Sequence, residues 1–142
     1  MKTIPASEVK KLLRAQFPSL KKPWFGLDPI RLFDMSYCIP SFGWVNAAVE
    51  NAMHNIEKRG LIPSRDYIAN SADCENWALW IQAEVTMEWA LNGEKGHAVT
   101  FGFDTDKGHA LNIAITDSGI KFWNYGVYSE LWSGEILEVE FK

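Results

Sequence analysis

The sequence predicts an α+β fold, and three observations predict it. Apolar residues recur at helical spacing in three stretches before Gly93. They alternate at a spacing of two in the stretches after Gly96. Turn residues then punctuate the second half at short intervals. Helices first and an antiparallel meander last, with a long central helix packed on the sheet, satisfies both patterns. At 142 residues the chain has the size of one domain and can bury a core. We read a single domain in three parts: a helix and an irregular wrap over 1–40, a helical part over 41–93, and a sheet over 96–142.

The first helix is expected over Ser7 to Phe17, with Ser7 as its cap and Val9, Leu12, Leu13 and Phe17 near one face. From Pro18 to Pro40, prolines and the Gly26-Leu27-Asp28-Pro29 turn predict irregular structure pinned by Trp24, Phe25, Phe33 and Tyr37. Ser41 to Lys58 has the period of a second helix, with Gly60 placed to close it. The third helix runs from about Cys74 to Leu91. Asp73 can cap it, Cys74, Ala78, Ile81 and Val85 share a stripe, and Asn92-Gly93 ends it. Beyond Gly96 the alternating runs are Val99-Phe101-Phe103, Leu111-Ile113-Ile115, Ile120-Phe122 and a closing strand with Ile136, Val139 and Phe141. The turns between them fall at Asp104 to Gly108, Asp117 to Gly119 and Ser133-Gly134.

Composition narrows the functional classes. With 47% hydrophobic and 23% charged residues the chain is globular in type. A net charge of −4 and a pI near 5.3 argue against nonspecific nucleic-acid or anionic-membrane binding. No apolar run approaches the ~20 residues that span a bilayer, and no basic-then-apolar leader is present, so a cytoplasmic location is expected. Cys38 and Cys74 are expected to be free thiols. Seven tryptophans suit a core, or a groove built from aromatic surface.

The chemistry-bearing stretch is Asn70-Ser71-Ala72-Asp73-Cys74-Glu75-Asn76-Trp77-Ala78. A thiol at a helix start gains from the helix N-terminus, which favours thiolate and presents free N–H groups to a carbonyl oxygen. Asp73 and Glu75 oppose that gain, so a cationic histidine partner matters more than usual. Of the three histidines, His54 sits in a surface-like part of helix two and His97 at a strand start. His109, in Gly108-His109-Ala110-Leu111-Asn112, shares the parity of Leu111, Ile113 and Ile115 at a strand end, where a base is reachable. Asn124 joins His109 on one face if the hairpin between them has a two-residue loop, and the apolar pattern selects that loop. Cysteine, histidine and asparagine then follow one another on successive elements, as a nucleophile, a base and an orienter would.

Asp73-Cys74-Glu75-Asn76-Trp77-Ala78 is similar to the Asp-Cys-Asp-Asp-Phe/Tyr-Ala signature of transglutaminase-like and papain-like cysteine peptidases. Gly108-His109-Ala110-Leu111-Asn112 resembles their histidine strand. Phe33 to Ser41 resembles an upstream segment of small bacterial and phage proteins related to the catalytic domain of a fungal agglutinin. The resemblance spans roughly residues 8–128 and implies a papain-like fold, with Cys74 as nucleophile and His109 as general base. Where the agglutinin-like group has Glu-Pro-Gln, this chain has Asn124-Tyr125-Gly126. Asparagine is the papain-like orienter, whereas the lost glutamine belongs to a region that helps bind calcium. No cofactor is therefore expected; Asp104 and Asp106 are the residues that could hold a cation, and acidic turn residues are usually only solvated. The Cys74 N–H is one expected oxyanion donor, and Asn70 or Tyr67 stands where the papain-like glutamine is missing.

The expected function is acyl transfer on a peptide or isopeptide bond, with a peptide or protein substrate. Two alternatives use the same fold: a catalytically silent binding or structural module of phage or prophage origin, and a cell-wall amidase acting on peptidoglycan stem peptides with a lysis partner.

Overall fold

A computed structural model describes residues 1–21, 26–62, 73–94, 96–106 and 108–142. Its frame is a six-stranded sheet of β2 (Ile30–Leu32), β5 (Phe101–Asp106), β6 (His109–Thr116), β7 (Gly119–Asn124), β8 (Val127–Ser129) and β9 (Glu138–Phe141). The spatial order is β2-β9-β5-β6-β7-β8. The run β5 to β8 is the expected antiparallel meander. Two features depart from it. The closing strand β9 lies antiparallel to β5, and β2 pairs parallel to β9 at the sheet edge.

The stretch before Pro40 is more regular than its prolines suggest. β1 (Lys2–Pro5), β3 (Ser36–Ile39) and β4 (Ala98–Val99) form a second, three-stranded sheet of mixed direction. Four-residue strands carry too few alternations to stand out from irregular chain, which is why they escape a reading by period. Tyr37 does pin this region. It is fully buried, its hydroxyl accepts from the N–H groups of Phe33 and Asp34, and it donates to the Phe141 carbonyl. Phe33, expected to help, is exposed. Trp24 and Phe25 lie outside the described residues.

Among the described residues three α-helices cover the sheet. α1 (Ala6–Gln16) begins one residue early: Pro5 takes the capping position, and the expected Ser7 cap is already inside the helix. α2 (Phe42–Lys58) is capped by Ser41, whose side chain accepts from the Trp44 N–H. It ends in a left-handed Gly60, whose N–H bonds Glu57 while Leu61 N–H reaches back to Ile56. α3 (Cys74–Asn92) starts with a reciprocal cap, Asp73 accepting from the Asn76 N–H and the Asn76 side chain accepting from Asp73 N–H. Among the described residues no helix is long and apolar enough to cross a membrane.

Two cores result, one on each face of the sheet. Trp77, Ile81, Val85 and Trp89 of α3 and Val45, Val49 and Ile56 of α2 pack with Phe101, Ala114 and Trp123. On the other face, Val9 and Leu13 of α1 pack with Leu111, Ile113, Phe122, Val139 and Phe141. Every residue of β6 from Ala110 to Thr116 is therefore buried. The alternation that marks β6 in the sequence separates two cores, not core from solvent. The tryptophans follow the same logic: Trp77, Trp89 and Trp123 are buried, and Trp44, Trp80 and Trp132 are half-buried against the cores.

Candidate active site

The pairing Thr116↔Gly119 leaves Asp117-Ser118 as a two-residue loop between β6 and β7. That loop sets Leu111 opposite Asn124 and so places His109 and Asn124 diagonally on one face. The side chains meet: His109 Nε2 and Asn124 Oδ1 are 2.7 Å apart. An amide oxygen only accepts, so Nε2 carries the proton and Nδ1 holds the lone pair. Among the described residues Nδ1 has no hydrogen-bond partner, which leaves that nitrogen available as a base.

Aromatic rings flank the imidazole. Trp132 lies nearly parallel to it, with ring centres 5.7 Å apart and planes at 19°. Tyr125 approaches at 5.8 Å and 51°, and its ring also meets Trp77 of α3. Tyr125 and Gly126 form the tight turn between β7 and β8, both with positive φ. The left-handed backbone is uncommon for an aromatic residue and costs on the order of 1 kcal/mol. Side-chain contacts at the sheet rim offset that strain. Gly126 is required for space as well, because a Cβ there would run into the Met53 side chain of α2.

Cys74 occupies the first position of α3 and is partly buried. By parity His109 belongs to the face covered by α1, opposite α3. As the first residue of β6 it sits at the rim, and there it lines a cleft of about 430 Å³ together with Glu75 and Leu79 of α3. Phe103, Thr105, Asp106, Gly108 and Glu138 complete the cleft. Cys74 itself is not among the residues that line this cleft, and no hydrogen bond joins its thiol to His109. Both cysteines are free; Cys38 is buried, its thiol donates to Glu94, and burial pushes its pKa up. His54 and His97 are exposed, and the His97 ring bonds Ser36. Asn70 and Tyr67 lie outside the described residues.

The acidic pair Asp104 and Asp106 lies within β5, not in a turn after it. Asp104 is not a solvated turn residue: β5 continues through Asp106, and the Asp104 side chain is fully buried with both oxygens unpartnered among the described residues. Burial, then the nearby Asp106 charge, raises its pKa well above the ordinary carboxylate range. Asp106 accepts from Trp132 Nε1 at 3.0 Å. Calcium takes about six to eight oxygens. Here one carboxyl is enclosed in apolar core and the other serves an indole. Asn124 spends its oxygen on His109, and no three His, Cys, Asp or Glu side chains gather as a metal site among the described residues. The residues present do not fit calcium.

No protein-family model matches the chain, and no curated protein matches it. Its fold is similar to that of a solved chain described as "PSL1a-E64 complex", with a TM-score of 0.72 over 98% of this chain. Identity is 16%, so the likeness is one of fold alone. This chain covers 50% of that one, about half its length.

Proposed function

We propose that the chain is a papain-like cysteine hydrolase acting on peptide or isopeptide bonds, with Cys74, His109 and Asn124 as its triad. The observation that carries the reading is the His109 Nε2 to Asn124 Oδ1 bond, which leaves Nδ1 basic at the rim of a cleft that reaches α3. The fold likeness to the chain described as "PSL1a-E64 complex" supports it.

In this mechanism His109 Nδ1 takes the Cys74 proton, and the thiolate adds to the substrate carbonyl. The oxyanion is held by the Cys74 N–H at the start of α3, with Asn70 or Tyr67 as the second donor. Imidazolium then protonates the departing amine. Water, deprotonated by the same nitrogen, releases the acid from the thioester. Asn124 keeps the ring in one tautomer and one orientation throughout. A thiol and imidazole that are not bonded without substrate are common, and the contact tightens in the complex.

Labelling by E64 tests the reading. Wild-type protein is expected to gain one adduct at Cys74, and Cys74→Ala and His109→Ala to gain none at that position. Equal labelling of wild type and His109→Ala would sink it. The absence of a Cys74–His109 hydrogen bond favours a second reading, a binding module without chemistry, which expects no activated labelling in any variant.

A further inference from the structure

We infer that Asp106 and Trp132 are positioning residues that set the plane of the His109 ring, a role that rests on the hydrolase reading above. Trp132 lies in the non-strand segment between β8 and β9. That segment is fastened over the sheet end at two points: Leu137 N–H bonds the Thr105 carbonyl at 2.8 Å, and Ser19 Oγ donates to the Ile136 carbonyl. Within it, the indole has one directional restraint, its Nε1 bond to Asp106 Oδ2. Asp106 is the register partner of His109 across the hairpin. The carboxylate therefore fixes the indole, and the indole lies flat against the imidazole of the neighbouring strand position.

Gly134 leaves the room that this bond needs. A Cβ there would collide with both Asp106 Oδ2 and Trp132 Nε1. The Asn124 bond restrains the ring at one nitrogen, leaving a rotation about that axis open; a flat partner against its face removes it. A base held in both respects presents Nδ1 in one direction, and small misplacements of a reacting group are costly.

The test separates the Asp106 hydrogen bond from its charge. Asp106→Asn keeps an oxygen acceptor and loses the charge, Asp106→Ala loses both, and Gly134→Ala keeps both side chains but forces them apart. His109 ring protons, assigned by their disappearance in His109→Asn, are read by NMR for the ring-current shift that a stacked indole imposes. The shift is expected in wild type and Asp106→Asn, and lost in Asp106→Ala and Gly134→Ala. Cys74 labelling by E64 should fall about tenfold in the last two and be largely restored in Asp106→Asn. Equal loss in Asp106→Asn and Asp106→Ala would overturn the inference in favour of a charge effect, as would unmoved resonances in Gly134→Ala. The ring shifts need no turnover. A wild-type protein that shows them but takes no label would refute the hydrolase reading and leave the geometry of the pair established.

Discussion

Asn112 Nδ2 donates to the Ala78 carbonyl at 2.8 Å, and the same amide donates to Gly102 at 3.1 Å. One buried side chain on β6 therefore ties the first turns of α3 to the middle of the sheet. Ala78 is one turn beyond Cys74 and Asn112 is three residues beyond His109, so this contact helps fix the spacing between the two elements that carry the thiol and the imidazole.

Asn112→Ala should disturb that spacing directly. It leaves the Ala78 and Gly102 carbonyls without this donor and opens space where the buried amide stood. We expect a loss of about 2–3 kcal/mol by chemical denaturation, together with slower Cys74 labelling. Unchanged stability would show that helix and sheet are held without it.

Asn124→Ala removes the acceptor for His109 Nε2 and leaves the β7–β8 turn intact. Cys74 labelling should fall by about a hundredfold, with the thermal midpoint within a few degrees of wild type. A rate equal to wild type would dismiss Asn124 as an orienter.

Asp104 carries a pH-dependent penalty. Its folded-state pKa is raised by burial, so the folded protein holds a proton that the unfolded chain releases near pH 4. Its contribution to stability is complete below that pH and declines as pH rises toward the folded-state value. Asp104→Asn should remove this decline and unfold at a higher temperature than wild type at neutral pH. Parallel stability-versus-pH curves for the two proteins would contradict the assignment.

Gly102→Ala tests the centre of the sheet. A Cβ at this position would strike the Glu140 carbonyl and the Phe141 ring of β9. Strand β9 would have to move, at a cost of about 3 kcal/mol, and soluble yield should drop. Normal yield and stability would mean that β9 shifts freely.

How much of this was written in the residues depends on what each signal measures. α3 and its Asp73 cap were legible because period and cap agree at one boundary, and the β6–β7 hairpin because both its strands carry the same parity. That parity correctly brought Asn124 to His109. It also obscured the second core: a strand buried on both faces alternates in side-chain type for packing reasons unrelated to water. Asp104 was misread because acidic residues beside a glycine signal a turn, and only the pairing of β5 with both β6 and β9 encloses it. Trp132 had no signal at all. Its place against His109 depends on a non-strand segment crossing the sheet end, and neither period nor spacing encodes such a path.

The insertion of β9 between β2 and β5 has a kinetic consequence. The meander from β5 to β8 can zip up from neighbouring hairpins, each closing a short loop. The β2–β9 pair instead joins Ile30 to Val139, and it is parallel, so nearly the whole chain must be organised before its hydrogen bonds repay the closure entropy. Folding should end with a slow step in which β9 docks. Until then the β5 edge, with Gly102 near its start, lies open to pairing with another molecule, and refolding should lose yield as protein concentration rises.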